Sequence, residues 1–348
     1  VQRIQWITDK LIQLTDSFNI NKDNLNHASL FCKHDLVSNM VGEFPELQGV
    51  IGAKYLLKEG HPKELALAVF EHYLPRFSGD SLPSSQAGSL LALAERFELL
   101  LSIFAKGERP TGSSDPYALR RAANGILQII WSNNLKLDIH DFLIESVEYW
   151  SQTLHEISFS KTKLIEDLSD FFRQRIISLF EEIGEDSDLI KAVAGNTTTI
   201  QRLLKEPCDS RIRLDLLRGM RSSGELSKIQ SVVNRASRLA EKSNLDEDTL
   251  SAKDYVDVSL FEKDSEHSML DLVNSLEKYS TSRSVEAYMK IAQGLACSIE
   301  ALSEFFDGQE SVMVMTEDKA RRENRLNLLA VLTNQSKIIA DFTKINSV

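Results

Sequence analysis

The sequence predicts an all-α fold, and three observations carry that reading. Apolar residues recur at spacings of three and four almost everywhere, and strict alternation is almost nowhere to be found. Only 15 Gly and 7 Pro occur in 348 residues, so few points interrupt a helix. The longest apolar stretch, LLALAERFELLLSIFA, is broken by Glu95, Arg96 and Glu98. It reads as a buried amphipathic helix rather than a membrane span.

The elements follow in order. Ile4, Ile7, Leu11 and Leu14 lie on one face of a first helix. EFPELQG, residues 43–49, is a helix junction whose glycine permits close packing. Pro62 sits near the first turn of a helix through KELALAVFEHYL, and Pro75 stops it. FSGDSLPSSQAGS and AKGERPTGSSD, rich in Gly, Ser and Pro, are loops. At Asp115-Pro116 a further helix begins: the aspartate accepts from free helix N–H groups, and proline at the first position loses no bond. Leu119, Ala122, Ala123, Ile126 and Ile130 form its apolar side. Apolar density falls around residues 150–162, which places a domain boundary between 1–155 and 156–348. The second half is helix after helix, interrupted by the polar stretch 243–254 and a loop at 307–311.

Lys and Arg number 40 against 51 Asp and Glu, a net charge of −11. An acidic total opposes indiscriminate binding to polyphosphates, so any nucleic-acid contact must come from local basic faces. Cys32, Cys208 and Cys297 are odd in number and far apart, with no C-x-x-C pair. That fits a reducing compartment and neither a disulfide framework nor a thiolate zinc site.

Four groups of residues carry candidate chemistry. His34-Asp35 is an adjacent pair in an apparently helical stretch, with His27 upstream and Glu95 and Glu98 downstream. In HD phosphohydrolases, imidazoles and carboxylates so arranged hold a divalent metal that activates water. His61 and His72 do not fall at a matching ligand spacing, so the preferred reading has Asp35 capping or pairing inside the bundle. PTGSSDPYALRRA feeds a Gly/Ser loop into a helix N-terminus, with Arg120 and Arg121 a turn later, an arrangement suited to phosphate. It lacks the P-loop pattern. Lys228, Arg235, Arg238 and Lys242, spaced by seven, three and four, make one basic stripe on a helix. Arg321, Arg322 and Arg325 make a second cluster, whose guanidinium forks suit phosphate oxygens and unpaired bases. No signature of nucleophilic catalysis is present, and VMVM (residues 312–315) reads as core packing.

Four blocks in order, LFCKHDLVSNMVGEFPELQGVIG, EHYLPRFSGDSLP, PTGSSDPYALRRAANGIL and FFDGQESVMVMTEDKARRENRLNLLAVL, resemble the β subunit of the bacterial two-subunit (α₂β₂) glycyl-tRNA synthetase. The sequence departs from that family where position 34 is ordinarily small, as in KADL. It departs again where ADK-x-D appears as AERFEL, with Glu95 and Glu98 replacing aspartates.

The resemblance implies an HD-like helical domain over 1–155. Over 156–348 it implies a helical anticodon-binding (DALR-like) domain, related to that of arginyl-tRNA synthetase. Family members extend further on the N-terminal side, so the chain is expected to be a C-terminal fragment. Glycine, ATP and Mg chemistry would reside on a separate α subunit. This chain would bind and orient tRNA-Gly, with no catalytic residue and no cofactor of its own, away from membranes and DNA. Its setting would be the bacterial cytoplasm or, alternatively, the plastid stroma. Residues 43–49 would then be open to the partner subunit or to the tRNA acceptor arm. The rival readings are an HD-type metal-dependent phosphohydrolase using His34 and Asp35, and a non-catalytic helical scaffold indifferent to RNA.

Overall fold

Helical periodicity becomes seventeen α-helices and four short 3₁₀ turns in the computed structural model, which describes residues 1–15 and 18–346. No strand forms among the described residues; Thr111 and Ser114 make a single isolated bridge. The fold is all-α. Among the described residues, no helix is long and apolar enough to cross a membrane.

Packing divides the chain into two units. The first comprises Val1–Leu179 with Ile200–Cys208, the second Phe180–Thr199 with Asp209–Val348. The boundary read from apolar density falls in the connection at 154–160, whereas this division lies further along, between Leu179 and Phe180.

In the first unit the helices are α1 (Gln2–Leu14), α2 (Lys22–Phe31), α3 (Asn39–Glu43), α4 (Val50–Lys58), α5 (Lys63–Glu71), α6 (Gln86–Ala105), α7 (Leu119–Asn133) and α8 (Ile139–Thr153). Most of α9 (Lys161–Glu182) also belongs to it. The core is built around α6, whose Leu90, Leu91, Leu93, Phe97, Leu100 and Leu101 are fully buried. A helix apolar nearly all round must be covered on every side, and α1, α5, α7 and α8 all pack on it. On α1 the expected stripe holds at Ile4, Ile7 and Leu11, but Leu14, the last helical residue, is exposed and Ile12 is buried instead.

Two helix ends differ from the sequence reading. Pro62 is the N-cap of α5, as its position predicts, but the helix stops at Glu71, well before Pro75. The helix after Asp115 starts at Leu119 rather than Pro116, because Ala118 adopts the left-handed region (φ 55°). Asp115 caps across that turn: its carboxylate oxygens accept from Leu119 N–H at 2.8 Å and Arg120 N–H at 3.0 Å. The five apolar residues expected on this helix are all buried. Gly49, at φ 77°, performs the junction role expected of it: a Cβ there would meet the Tyr73 ring at 2.9 Å.

In the second unit α10 (Ser187–Ala194) is followed, beyond α11 (Ile200–Lys205) of the first unit, by α12 (Pro207–Ser223), α13 (Glu225–Ala240), α14 (Asp264–Ser280), α15 (Val285–Cys297), α16 (Ile299–Asp307) and α17 (Lys319–Lys337). α17 packs on α13 and α14. It also pins the polar stretch before α14. Asn334 donates to the carbonyls of Asp246 (2.9 Å) and Thr249 (3.0 Å), and Gln335 to that of Leu250 (2.8 Å). Those amides satisfy the carbonyls of an irregular segment that has no helix to do so. The VMVM segment is only partly core: Val314 is buried, while Met313 and Met315 are exposed.

Candidate nucleic-acid interface

The first candidate surface is the outer face of α13. Its buried side, Leu226, Ile229, Val232, Val233 and Ala236, fixes the rotation of the helix. Lys228, Arg235 and Arg238 therefore point outward, and Lys242 follows two residues past the helix end; all four are exposed. Arg235 pairs with Asp307 and lies over the Phe306 ring, 4.5 Å from its centroid. The side chains of Lys228, Arg238 and Lys242 have no ion-pair partner among the described residues. Lys228, Arg238 and the shielded Arg235 thus share the outer face of α13, and Lys242 stands in the turn that follows it.

The Arg321–Arg325 cluster is differently placed. Arg325 is buried, and its guanidinium donates to Glu266 at 2.8 Å, to Glu262 at 2.9 Å and to the Met313 carbonyl at 3.1 Å. Burial works against the Glu266 charge, but the guanidinium and two backbone N–H groups outweigh it and hold its pKa below the ordinary range. Arg321 is half-exposed and pairs with Glu262 at 2.5 Å and Asp318 at 3.7 Å. Arg322 donates to the Thr316 carbonyl at 3.3 Å. The structure joins Arg321 and Arg325 to the acidic start of α14, at Glu262 and Glu266, and all three arginines to the loop before α17, at Met313, Thr316 and Asp318.

Arg120 and Arg121 stand at the start of α7 in the first unit, and their side chains carry no ion pair among the described residues. Arg121 is exposed and lines a cleft of about 410 Å³ with Tyr73, Arg76, Glu95, Arg96 and Tyr117. Arg96 is a buried wall of this cleft. Its guanidinium donates to the carbonyls of His72 (3.0 Å), Ala92 (2.9 Å), Tyr73 (3.0 Å) and Pro75 (2.9 Å). Burial pushes its pKa down, Glu95 raises it and Arg121 lowers it again.

The His34-Asp35 pair lies in a four-residue 3₁₀ turn, His34–Val37, rather than in an α-helix. Asp35 is wholly buried and accepts from Gly49 N–H at 2.7 Å, an internal role that joins the turn to the start of α4. His34 Nε2 and Asp35 Oδ1 are buried without a hydrogen-bond partner among the described residues. No third ligand joins them: among the described residues no three His, Cys, Asp or Glu groups could hold a metal ion together.

The nearby imidazole of His72 and carboxylate of Glu95 are already bridged by Lys33, whose Nζ is 3.2 Å from each. The same ammonium sits 4.0 Å from the centroid of the Tyr73 ring. Burial disfavours the Lys33 charge, but Glu95 and Tyr73 more than restore it and its pKa stands above the ordinary value. His72 is held well below its ordinary pKa, first by burial and then by Lys33. It is therefore neutral, with Nδ1–H donating to the Val69 carbonyl at 2.6 Å and Nε2 accepting from Lys33. A divalent cation does not fit where a lysine ammonium already stands.

Lys33, Arg76 and Tyr117 were not singled out by the sequence, and His72 was weighed only as a metal ligand. Lys33 adjoins the His34-Asp35 pair, and the other three lie in or beside the loops flanking α6. Their convergence is a product of the tertiary fold, and no spacing along the chain announces it.

The family profile described as glycyl-tRNA synthetase beta subunit matches residues 1–195. Curated relatives extend the similarity over nearly the whole chain. The glycine–tRNA ligase beta subunit of Acaryochloris marina is 42% identical over 98% of this chain and 48% of its own length. That of Picosynechococcus is 39% identical with the same coverage, and that of Desulforamulus reducens 34% identical over 99% of this chain and 47% of its own. The chain spans about half the length of the curated relatives it matches.

Proposed function

We propose, from the premise that the chain belongs to the glycyl-tRNA synthetase beta subunit family, that it binds tRNA-Gly and orients it for glycylation. The active site would be carried by a separate α subunit, in an α₂β₂ glycine–tRNA ligase. Glycine, ATP and Mg belong in this reading to that other subunit, and the chain contributes RNA-binding surface. The observation that carries the reading is the exposed face of α13 and the turn after it, where Lys228, Arg238 and Lys242 carry no ion pair among the described residues despite a net charge of −11. A cation left unpaired in an acidic protein is free to displace counterions from phosphate, which makes affinity fall steeply with salt. The bacterial cytoplasm, or the stroma of a plastid, is the corresponding setting, with neither membrane nor DNA as a partner.

The test is a titration of the chain with tRNA-Gly and a non-cognate tRNA between about 50 and 200 mM salt. The expected result is a linear fall of log affinity with log salt for both, with tRNA-Gly bound more tightly. Salt-independent affinity, or none, would favour a scaffold indifferent to RNA. Glycine-dependent pyrophosphate exchange by the chain alone would overturn the division of labour.

A further inference from the structure

We propose that the cleft of the first unit between residues 45–48, the Tyr73–Arg76 segment, α6 and the start of α7 seats a single unpaired nucleotide of an RNA strand. The inference rests on the reading that the chain contacts RNA and adds a site that the basic stripes do not include. At about 410 Å³ the cleft has the size of a small-ligand pocket. Two tyrosine rings line it: Tyr117, 44% exposed, and Tyr73, braced by the Lys33 ammonium 4.0 Å from its centroid. A braced ring and an open one make a stacking platform that accepts any base.

The charges of the cleft favour a phosphate. Arg76 and Arg121 are exposed, line the cleft and have no carboxylate partner among the described residues. Arg96 adds fixed positive charge behind them, its own donors committed to four carbonyls. Of the two acids in the lining, Glu95 is neutralised by Lys33 at 3.2 Å. Glu46, exposed at the rim, remains to accept from a base amino group. A concave site with stacking rings and guanidinium forks suits a splayed-out nucleotide, whereas a duplex keeps its base faces stacked on one another.

The test measures binding of a labelled single-stranded pentaribonucleotide, the same strand annealed to its complement, and AMP. The proteins are the wild-type chain and the Arg76→Gln, Arg121→Gln and Tyr117→Leu variants, each checked by circular dichroism. All three side chains are exposed, so the variants keep the fold. The expected result is saturable binding of the single strand, weaker binding of the duplex, and a loss of about tenfold for Tyr117→Leu. Each arginine variant should show a reduced salt slope. AMP binding as tight as the pentamer, and lost in the same variants, would sustain the cleft but reassign its ligand to a free nucleotide. If all three variants bind the single strand like wild type while tRNA still binds with its salt dependence, the cleft inference fails and the tRNA reading stands. If tRNA does not bind at all, the tRNA reading has failed on its own evidence.

Discussion

The Nζ of Lys33 lies 3.2 Å from the Nε2 of His72, a lysine ammonium donating to a neutral, buried imidazole. Burial, and after it that ammonium, give His72 a pH-dependent share in the stability of the first unit. His72 is held below its ordinary pKa when folded and returns to about 6.5 when unfolded. Between those two values the unfolded chain binds the extra proton. The contribution of His72 to stability is therefore full above about pH 6.5 and falls as the pH drops below it, by up to about 1.4 kcal/mol per pH unit. Denaturant unfolding of wild type and His72→Gln at a series of pH values isolates the effect, since other carboxylates titrate alike in both. The difference between the two curves should change between pH 7.5 and 5; a flat difference would remove His72 from the account.

Replacing Arg325 should act on stability first. Arg325→Met leaves the buried Glu266 carboxylate without its partner and is expected to cost about 3–5 kcal/mol in unfolding free energy. Arg325→Lys should recover only part, because an ammonium cannot reproduce the fork to Glu266 and Glu262. Pairing Arg325→Met with Glu266→Gln should be less destabilising than Arg325→Met alone. Equal stabilities of wild type and Arg325→Met would show that the pair contributes nothing.

On the α13 face the expectation is reversed. Lys228→Gln, Arg238→Gln and Lys242→Gln should leave the melting temperature within about 1–2 °C, as exposed substitutions do. Each should flatten the dependence of log affinity for tRNA on log salt by up to about one unit. A binding isotherm series with the triple variant checks this most simply. An unchanged slope would mean that the face is only solvated.

Two glycines make opposite predictions. A Cβ at Gly88 would fall 2.1 Å from Glu71 Oε2, and that carboxylate cannot yield. It accepts from the backbone N–H groups of Ser84 (2.8 Å) and Ser85 (3.1 Å) and from both hydroxyls. Gly88→Ala should cost about 1–3 kcal/mol through overpacking. Gly219, inside α12 with nothing within 4 Å of its virtual Cβ, should gain about 0.5–1 kcal/mol on replacement by Ala. Thermal melts of the two variants should move in opposite directions.

Periodicity made the helices legible, and with them the buried faces at Ile4, Ile7 and Leu11 and from Leu119 to Ile130. Local chemistry made Asp115 legible as a cap, though not the left-handed Ala118 that delays the helix it caps. The charged residues were half legible. Arg238 and Arg325 look alike in a linear stripe, yet one is exposed and the other closes on Glu266, 59 residues away in sequence. A pairing over that distance leaves no periodic trace, because it is set by how α14 meets α17. The same holds for Lys33, whose partners are His72 at the end of α5 and Glu95 in the middle of α6. The adjacent His34-Asp35 pair suggests a metal site, but the cation in that neighbourhood is the preceding residue, Lys33.

Arg96 has one further consequence. The carbonyls that follow the last turn of α5 are satisfied not by their own helix but by a guanidinium from the middle of α6. Neither helix is complete in isolation: α5 would fray at its end, and α6 would carry an unpaired buried cation. The two should therefore open and close as a single cooperative event. Amide exchange at the end of α5 would then report the opening of α6 rather than its own local fluctuation.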